Sequence, residues 1–427
     1  MKGRTPRPGG GDFEIIVAGG GPSGSAVAAL LAMEGRRVLL LERETFPRFR
    51  IGESLMPATY WAFKKLGVLP KLRRSPFIRK QSVQFFAGSG KAGRPFYFTE
   101  IDPHESSVTW QVERSQFDQI LLDHASELGV EVRQGARVTQ VLMEGGRAVG
   151  VRAVLADGSR RVIRAPVTVD ATGQNALLAS RLGLCRLDSR LRHVSFFTRY
   201  LGGKRAPGID EGATLILHTR QRKSWFWYIP LPADLVSVGV VGHIDHLIRG
   251  RAPDPETVFA EELAQCAPLA ARLERARPQG PVRALRDFSY ASRAIAGDGW
   301  VLVGDAFGFL DPIYSSGVFL ALKSAELAAS SIHAALGAGD PSAARLGRHG
   351  PAFIAGMEAL RRLIYAYYDR GFSFSRFLEA HPEARDDLVN MLVGNVFRKS
   401  CAGILETMGA ASRPDGYEPL TLPAGKA

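Results

Sequence analysis

Phe13-Glu14-Ile15-Ile16-Val17-Ala18-Gly19-Gly20-Gly21-Pro22-Ser23-Gly24 is the stretch on which the fold turns. Its apolar run, Ile15 to Ala18, suits a strand buried on both faces. Gly19-x-Gly21-x-x-Gly24 follows without a break and fits the dinucleotide-binding fingerprint. The first glycine permits a tight turn, the second lets the backbone approach a pyrophosphate, and the third allows close packing of helix on strand. An Ala/Leu-rich helix then runs to about Glu34, where Gly35 stops it. The next strand ends in Glu42-Arg43, which puts an acid 18 residues beyond Gly24, in reach of ribose hydroxyls.

Outward from this unit, residues 52–74 read as mostly helical, and aromatic strands follow at about 81–88 and 95–101. A helix is expected from Ser115, acting as its N-cap, to Leu128. Alternating stretches from Val130 to Val169 resemble a meander that ends at Asp170-Ala171-Thr172-Gly173. Longer β-like runs lie between 193 and 241, and a helix is expected over 255–274. Trp300 to Val303 is a further buried strand, leading to Gly304-Asp305 and a helix near 317–337. The chain from about 341 reads as helical.

Composition bounds the possibilities. The chain has 427 residues, 45% hydrophobic and 23% charged, enough for two or three domains or one composite fold. No apolar run reaches the roughly 18–20 residues that span a bilayer. The N-terminus lacks the apolar segment of a secretory signal. Three separated cysteines (Cys185, Cys266, Cys401) form no disulfide framework or zinc motif, so no metal and a cytoplasmic setting are expected. The net charge of +13 comes largely from scattered arginines, 44 of the 55 basic residues. Without a basic block or an RNP-like motif, it does not point to nucleic acid.

Three further segments carry a resemblance. They are Phe46-Pro47-Arg48-Phe49-Arg50-Ile51-Gly52-Glu53-Ser54-Leu55-Met56-Pro57, then Trp225-Phe226-Trp227-Tyr228-Ile229-Pro230, then Phe309-Leu310-Asp311-Pro312-Ile313-Tyr314-Ser315-Ser316-Gly317-Val318. With Gly304-Asp305, Arg114 in Val112-Glu113-Arg114 and the turn after Asp170, the chain from about 12 to 335 resembles the flavin-dependent halogenases. The likeness is to their phenol, pyrrole or carrier-bound-substrate branch, within the FAD-dependent aromatic monooxygenase-like superfamily.

The resemblance implies an α/β protein: a Rossmann-like FAD-binding domain, an inserted antiparallel sheet domain for substrate and a short helical C-terminal region. The expected boundaries are a flexible tail at 1–11, a discontinuous FAD domain at 12–80, 102–190 and 285–338, a sheet domain at 81–101 and 191–284, and helices at 339–427. Gly19, Gly21, Ser23, Gly24, Glu42, Arg43, Arg50, Arg114, Val138, Asp305, Gly317 and Val318 are the implied cofactor contacts. Asp287 stands in a segment that either approaches the flavin or forms a structural loop.

The resemblance also implies the reaction. Reduced flavin from a separate, transiently encountered reductase meets O2 and forms a hydroperoxide. Chloride or bromide attacks it to give hypohalous acid, and a lysine delivers the halogen to an electron-rich aromatic ring. Ser316 and Gly317, at a helix start, are the implied halide donors. Lys80, in the family's K-x-x-x-x-F segment, is the implied delivering residue. Trp225, Trp227 and Pro230 belong to the motif that shapes the tunnel, and alternate tryptophans face one side of a strand. Tryptophan halogenases carry a glutamate where this chain has Tyr314, which favours phenolic, pyrrolic or carrier-bound substrates over free tryptophan. The alternative is an FAD-dependent monooxygenase or reductase of the same superfamily that acts without halide.

Overall fold

The structure is a computed structural model that describes residues 13–251 and 254–422. The tail expected at 1–11 and the side chain of Asp287 lie outside the described residues.

A six-stranded sheet runs in the order Ala296–Gly297, Trp300–Leu302, Val167–Asp170, Ile15–Ala18, Val38–Glu42, Glu131–Gln134. It is parallel except at Ala296–Gly297. Ile15, Ile16 and Val17 are wholly buried, each contributing about 1.5–3 kcal/mol of transfer free energy. Pro22 opens the helix Pro22–Met33, where its fixed φ and missing N–H cost nothing. That helix packs with Ser316–Gly337 and Arg114–Glu127 in one apolar cluster.

The second layer is a nine-stranded sheet. Its core is the antiparallel run Arg283–Ser292, Cys185–Leu201, Leu235–His243, Ser224–Pro230, Thr214–His218. Ser82–Phe86 joins it parallel to Thr214–His218, so the segment before residue 100 closes the same sheet. A strand's side chains alternate between faces. Trp225 and Trp227 therefore enter one apolar cluster, and Phe226 and Tyr228 another. The helix Gly350–Tyr368 lays its buried face against the first of these clusters and brings Tyr367 within 6.2 Å of Trp225, centroid to centroid. No helix among the described residues is long and apolar enough to cross a membrane.

Several elements differ from the sequence reading. The segment 52–74 is helical only at Thr59–Leu66 and Leu69–Arg73. Before these the chain is held extended: Ser54 bridges Gln111, Val112 N–H donates to Glu53 O at 2.7 Å, and Leu55 N–H donates to Trp110 O at 3.1 Å. Ser115 is not an N-cap. The helix starts at Arg114, whose guanidinium grips Asp118 one turn on, and Glu113 occupies the cap position. The expected meander divides. Arg137–Glu144, Arg147–Val154 and Arg160–Arg164 form their own sheet, while Glu131–Gln134 and Val167–Asp170 join the parallel one. The helix over 255–274 is two, Pro255–Leu263 and Ala267–Leu273, because Pro268 opens the second and cannot continue the first. The strands Cys185–Leu201 and Arg283–Ser292 pair from Cys185↔Ser292 to Phe197↔Arg283 and run across the boundaries set at 190 and 285.

Candidate active site

The two layers meet around one cavity of about 720 Å³, within the range of cofactor pockets. Its first wall is the glycine turn. Gly19 has φ +107°, and a Cβ there would lie 2.3 Å from Ala171 O. A Cβ on Gly24 would lie 1.9 Å from Gly19 O, so only glycine lets the helix start this close to the turn. The N-terminus of Pro22–Met33 thus opens onto the cavity through Gly21, Pro22 and Ser23. Glu42 lies at the same wall. Its carboxylate accepts from Gly20 N–H at 2.6 Å and Glu44 N–H at 2.9 Å, which fixes its orientation.

Arg43, Arg50, Arg114, Val138, Asp305, Gly317 and Val318 also line the cavity. Arg114 is buried; it pairs bidentately with Asp118 at 2.8 and 2.9 Å and donates to Ile51 O. Burial pushes the Asp305 carboxyl up to about 6, opposed by the positive charge of Arg114. A glycine cradle, a helix N-terminus, a fixed acid and flanking arginines fit a dinucleotide such as FAD.

Opposite the turn, the cavity runs along the nine-stranded sheet past Thr214, Ile216, Trp225 and Trp227. Lys80 ends the short strand Ile78–Lys80, which pairs with Thr109–Gln111. Its side chain is buried and points inward. Nζ donates to Ser54 Oγ at 2.8 Å and Leu55 O at 3.1 Å, and sits 5.5 Å from the Phe98 ring centroid. No carboxylate among the described residues accompanies it, and burial pushes its pKa down to about 7. Lys80 is not itself among the lining residues. Ser54 and Thr214 are, and their hydroxyls lie 2.9 Å apart.

The third wall is the loop before the helix Ser316–Gly337. Ser315, with φ 57°, takes the left-handed conformation that ends the turn Pro312–Tyr314. Gly317 faces the cavity, and a Cβ there would meet open space. The first N–H groups of this helix have no intrahelical acceptor, and its N-terminus carries partial positive charge.

Comparison with known proteins agrees with this geometry. Residues 12–346 match the FAD binding domain family. The chain is 30% identical to 1H-pyrrole-2-carbonyl-[peptidyl-carrier protein] chlorinase of Pseudomonas fluorescens, covering 93% of this chain and 92% of that protein. It is 31% identical to the corresponding brominase of Pseudoalteromonas luteoviolacea, over 92% and 93% of the two chains. The chain belongs to the flavin-dependent halogenases. The solved flavin-dependent brominase Bmp2 superposes with a TM-score of 0.83 at 29% identity, over 92% of this chain and 97% of that one. The myxobacterial chondrochloren halogenase superposes at 0.77 with 32% identity, over 94% and 96%.

In this halogenase, three residues singled out in the sequence stand outside the cavity lining besides Lys80. Gly24 lies behind the turn, Ser316 is buried beside Gly317, and Pro230 closes its strand one residue past Ile229, which does line it. The structure also adds residues. Arg48 lines the cavity and bridges Glu44 and Asp118 at 3.2 and 2.9 Å. Ser54 stands inside a quoted motif, but the expected helix hid its contact with Lys80. Glu53 is buried, with Oε1 on Arg199 at 2.8 Å.

Proposed function

We propose that this halogenase binds FAD across the glycine turn, takes chloride or bromide at the N–H groups of Ser316 and Gly317, and passes the halogen by way of Lys80 to an electron-rich ring tethered to a carrier protein. Reduced flavin comes from a separate reductase by diffusion. When bound, reduced flavin with O2 supplies the oxidising equivalents that make halide electrophilic.

The observation that carries this reading is the setting of Lys80. A lone buried lysine is costly unless its amine has a task. Here the amine is linked to the cavity through Ser54 Oγ, beside Thr214 and on the tryptophan side of the cavity. With its pKa near 7, it is available both as an N–H donor and as a neutral amine. Ser54 and Leu55 O hold it in one orientation. Trp225 and Trp227 present apolar surface to that side of the cavity.

Two features support a tethered, already activated substrate. The relatives that match nearly the whole chain are named for a pyrrole held on a peptidyl-carrier protein. The net charge of +13 suits an acidic carrier. Tyr314 is buried, donates to Leu363 O at 3.3 Å and has a pKa well above the usual tyrosine range, so it supplies no base for a less reactive ring. The test is mass spectrometry of reactions with bromide, a flavin reductase and a panel of phenols and pyrroles, free and carrier-tethered. Brominated carrier-tethered product is expected; bromination of free substrates alone contradicts the tether.

A further inference from the structure

Asp311 puts a carboxylate on the loop assigned above to an anion. It is buried, lines the cavity and lies between Phe309 and Pro312, four residues before Ser315. Its local task is clear: Oδ1 accepts from Ile313 N–H at 3.0 Å and caps the turn Pro312–Tyr314. Its charge is a separate matter. The field of this carboxylate reaches along the loop, because burial and then Asp311 raise the Tyr314 hydroxyl well above its usual range. An uncompensated carboxylate there repels halide.

Two distant elements close on this carboxylate. His193, buried in the strand Cys185–Leu201, places Nδ1 2.8 Å from Asp311 Oδ2. Tyr368, at the end of the helix Gly350–Tyr368, donates its hydroxyl to Asp311 at 2.9 Å and stacks on the His193 ring at 4.1 Å. The same hydroxyl accepts from Trp225 Nε1 at 2.9 Å. A second imidazole, His243, meets His193 edge-on at 5.9 Å. Burial first, and then the neighbouring His193, lower the pKa of His243.

We propose that His193 is the positioning counter-cation of Asp311, neutralising the carboxylate of the halide loop so that an anion binds beside it, with Tyr368 locking the pair. This rests on the halide assignment to Ser316 and Gly317. His193 touches neither flavin nor ring; it acts through Asp311.

The test is bromide-dependent thermal stabilisation of the FAD-loaded protein, at constant ionic strength, read as an apparent bromide Kd. His193→Gln keeps a polar side chain but removes the charge, and is expected to weaken bromide binding about tenfold or more. Asp311→Asn alone is expected to bind bromide at least as tightly as wild type. The double variant is expected to return to within about threefold of wild type, because the charge and its counter-charge leave together. FAD affinity stays within about twofold in all of them, which a general packing defect would not allow. Bromide affinity unchanged in His193→Gln, or as weak in the double variant as in the single, overturns the proposal. If His193→Gln alone fails to load FAD, recovery of loading in the double variant supports it and failure of both overturns it. Gly317→Val separates the two readings. Bromide binding unaffected there contradicts the halide site itself; binding weakened there but not in His193→Gln contradicts only the compensation.

Discussion

Lys80 Nζ lies 2.8 Å from Ser54 Oγ, and that hydroxyl lies 2.9 Å from Thr214 Oγ1 on the cavity wall. Ser54 and Thr214 thus link the buried amine to the cavity wall, and Gln111 Nε2 donates to Thr214 Oγ1 at 2.8 Å from the side. A hydrogen bond to a charged group contributes about 1.5–3 kcal/mol. Among the described residues, Ser54→Ala leaves the amine with Leu55 O as its remaining hydrogen-bond acceptor. We expect kcat for halogenation to fall about 10- to 100-fold while FAD affinity, set at the opposite wall, is unchanged. Steady-state kinetics beside a flavin titration checks this.

Gly24→Ala tests the cofactor cradle. The added methyl would lie 1.9 Å from Gly19 O, so the helix Pro22–Met33 must retreat from the turn. Overpacking of this kind costs about 1–3 kcal/mol, and it falls on the N–H groups that face the pyrophosphate. FAD affinity is expected to drop about tenfold or more, with most of the fold intact by circular dichroism.

The buried amine makes a pH prediction. Lys80 has its pKa lowered to about 7, so the folded protein binds fewer protons than the unfolded chain from about pH 7 up to the ordinary lysine value near 10. Stability from this group therefore rises with pH across that window and is lowest below pH 7. Relative to Lys80→Met, wild type is expected to gain up to about 1.4 kcal/mol per pH unit between pH 7 and 9. Denaturant titrations of both proteins at several pH values measure it; a flat difference means the amine is not desolvated.

Tyr368→Phe removes one hydroxyl and breaks two links, to Asp311 and to Trp225 Nε1. The indole N–H of a buried tryptophan then has no acceptor there, which costs about 1–3 kcal/mol. The loss is expected in denaturant titration of the FAD-loaded protein.

The sequence carried the cofactor wall most clearly, because its chemistry is local. A strand, three glycines, a helix and an acid at fixed spacing have one common outcome, and Gly19, Gly21, Ser23 and Glu42 meet at the cavity. The face shared by Trp225 and Trp227 was legible for the same reason, since period-two alternation decides it. What depended on tertiary pairing was not legible. Residues 53–55 carry no strand signal and are held extended by pairing with the segment Trp110–Val112. The contact of Ser54 with Lys80 follows from that pairing. The link from His193 to Asp311 and Tyr368 joins residues 118 and 57 positions apart, through a helix whose role no motif announced.

Lys80→Ala with bromide, reduced flavin and an accepted aromatic substrate is the most direct test of the central claim. Mass spectrometry of the product is read beside FAD binding by the same preparation. The account predicts bromide-dependent product from wild type and none above background from the variant, with FAD bound equally. A variant that binds FAD and still brominates at the wild-type rate contradicts the role of Lys80.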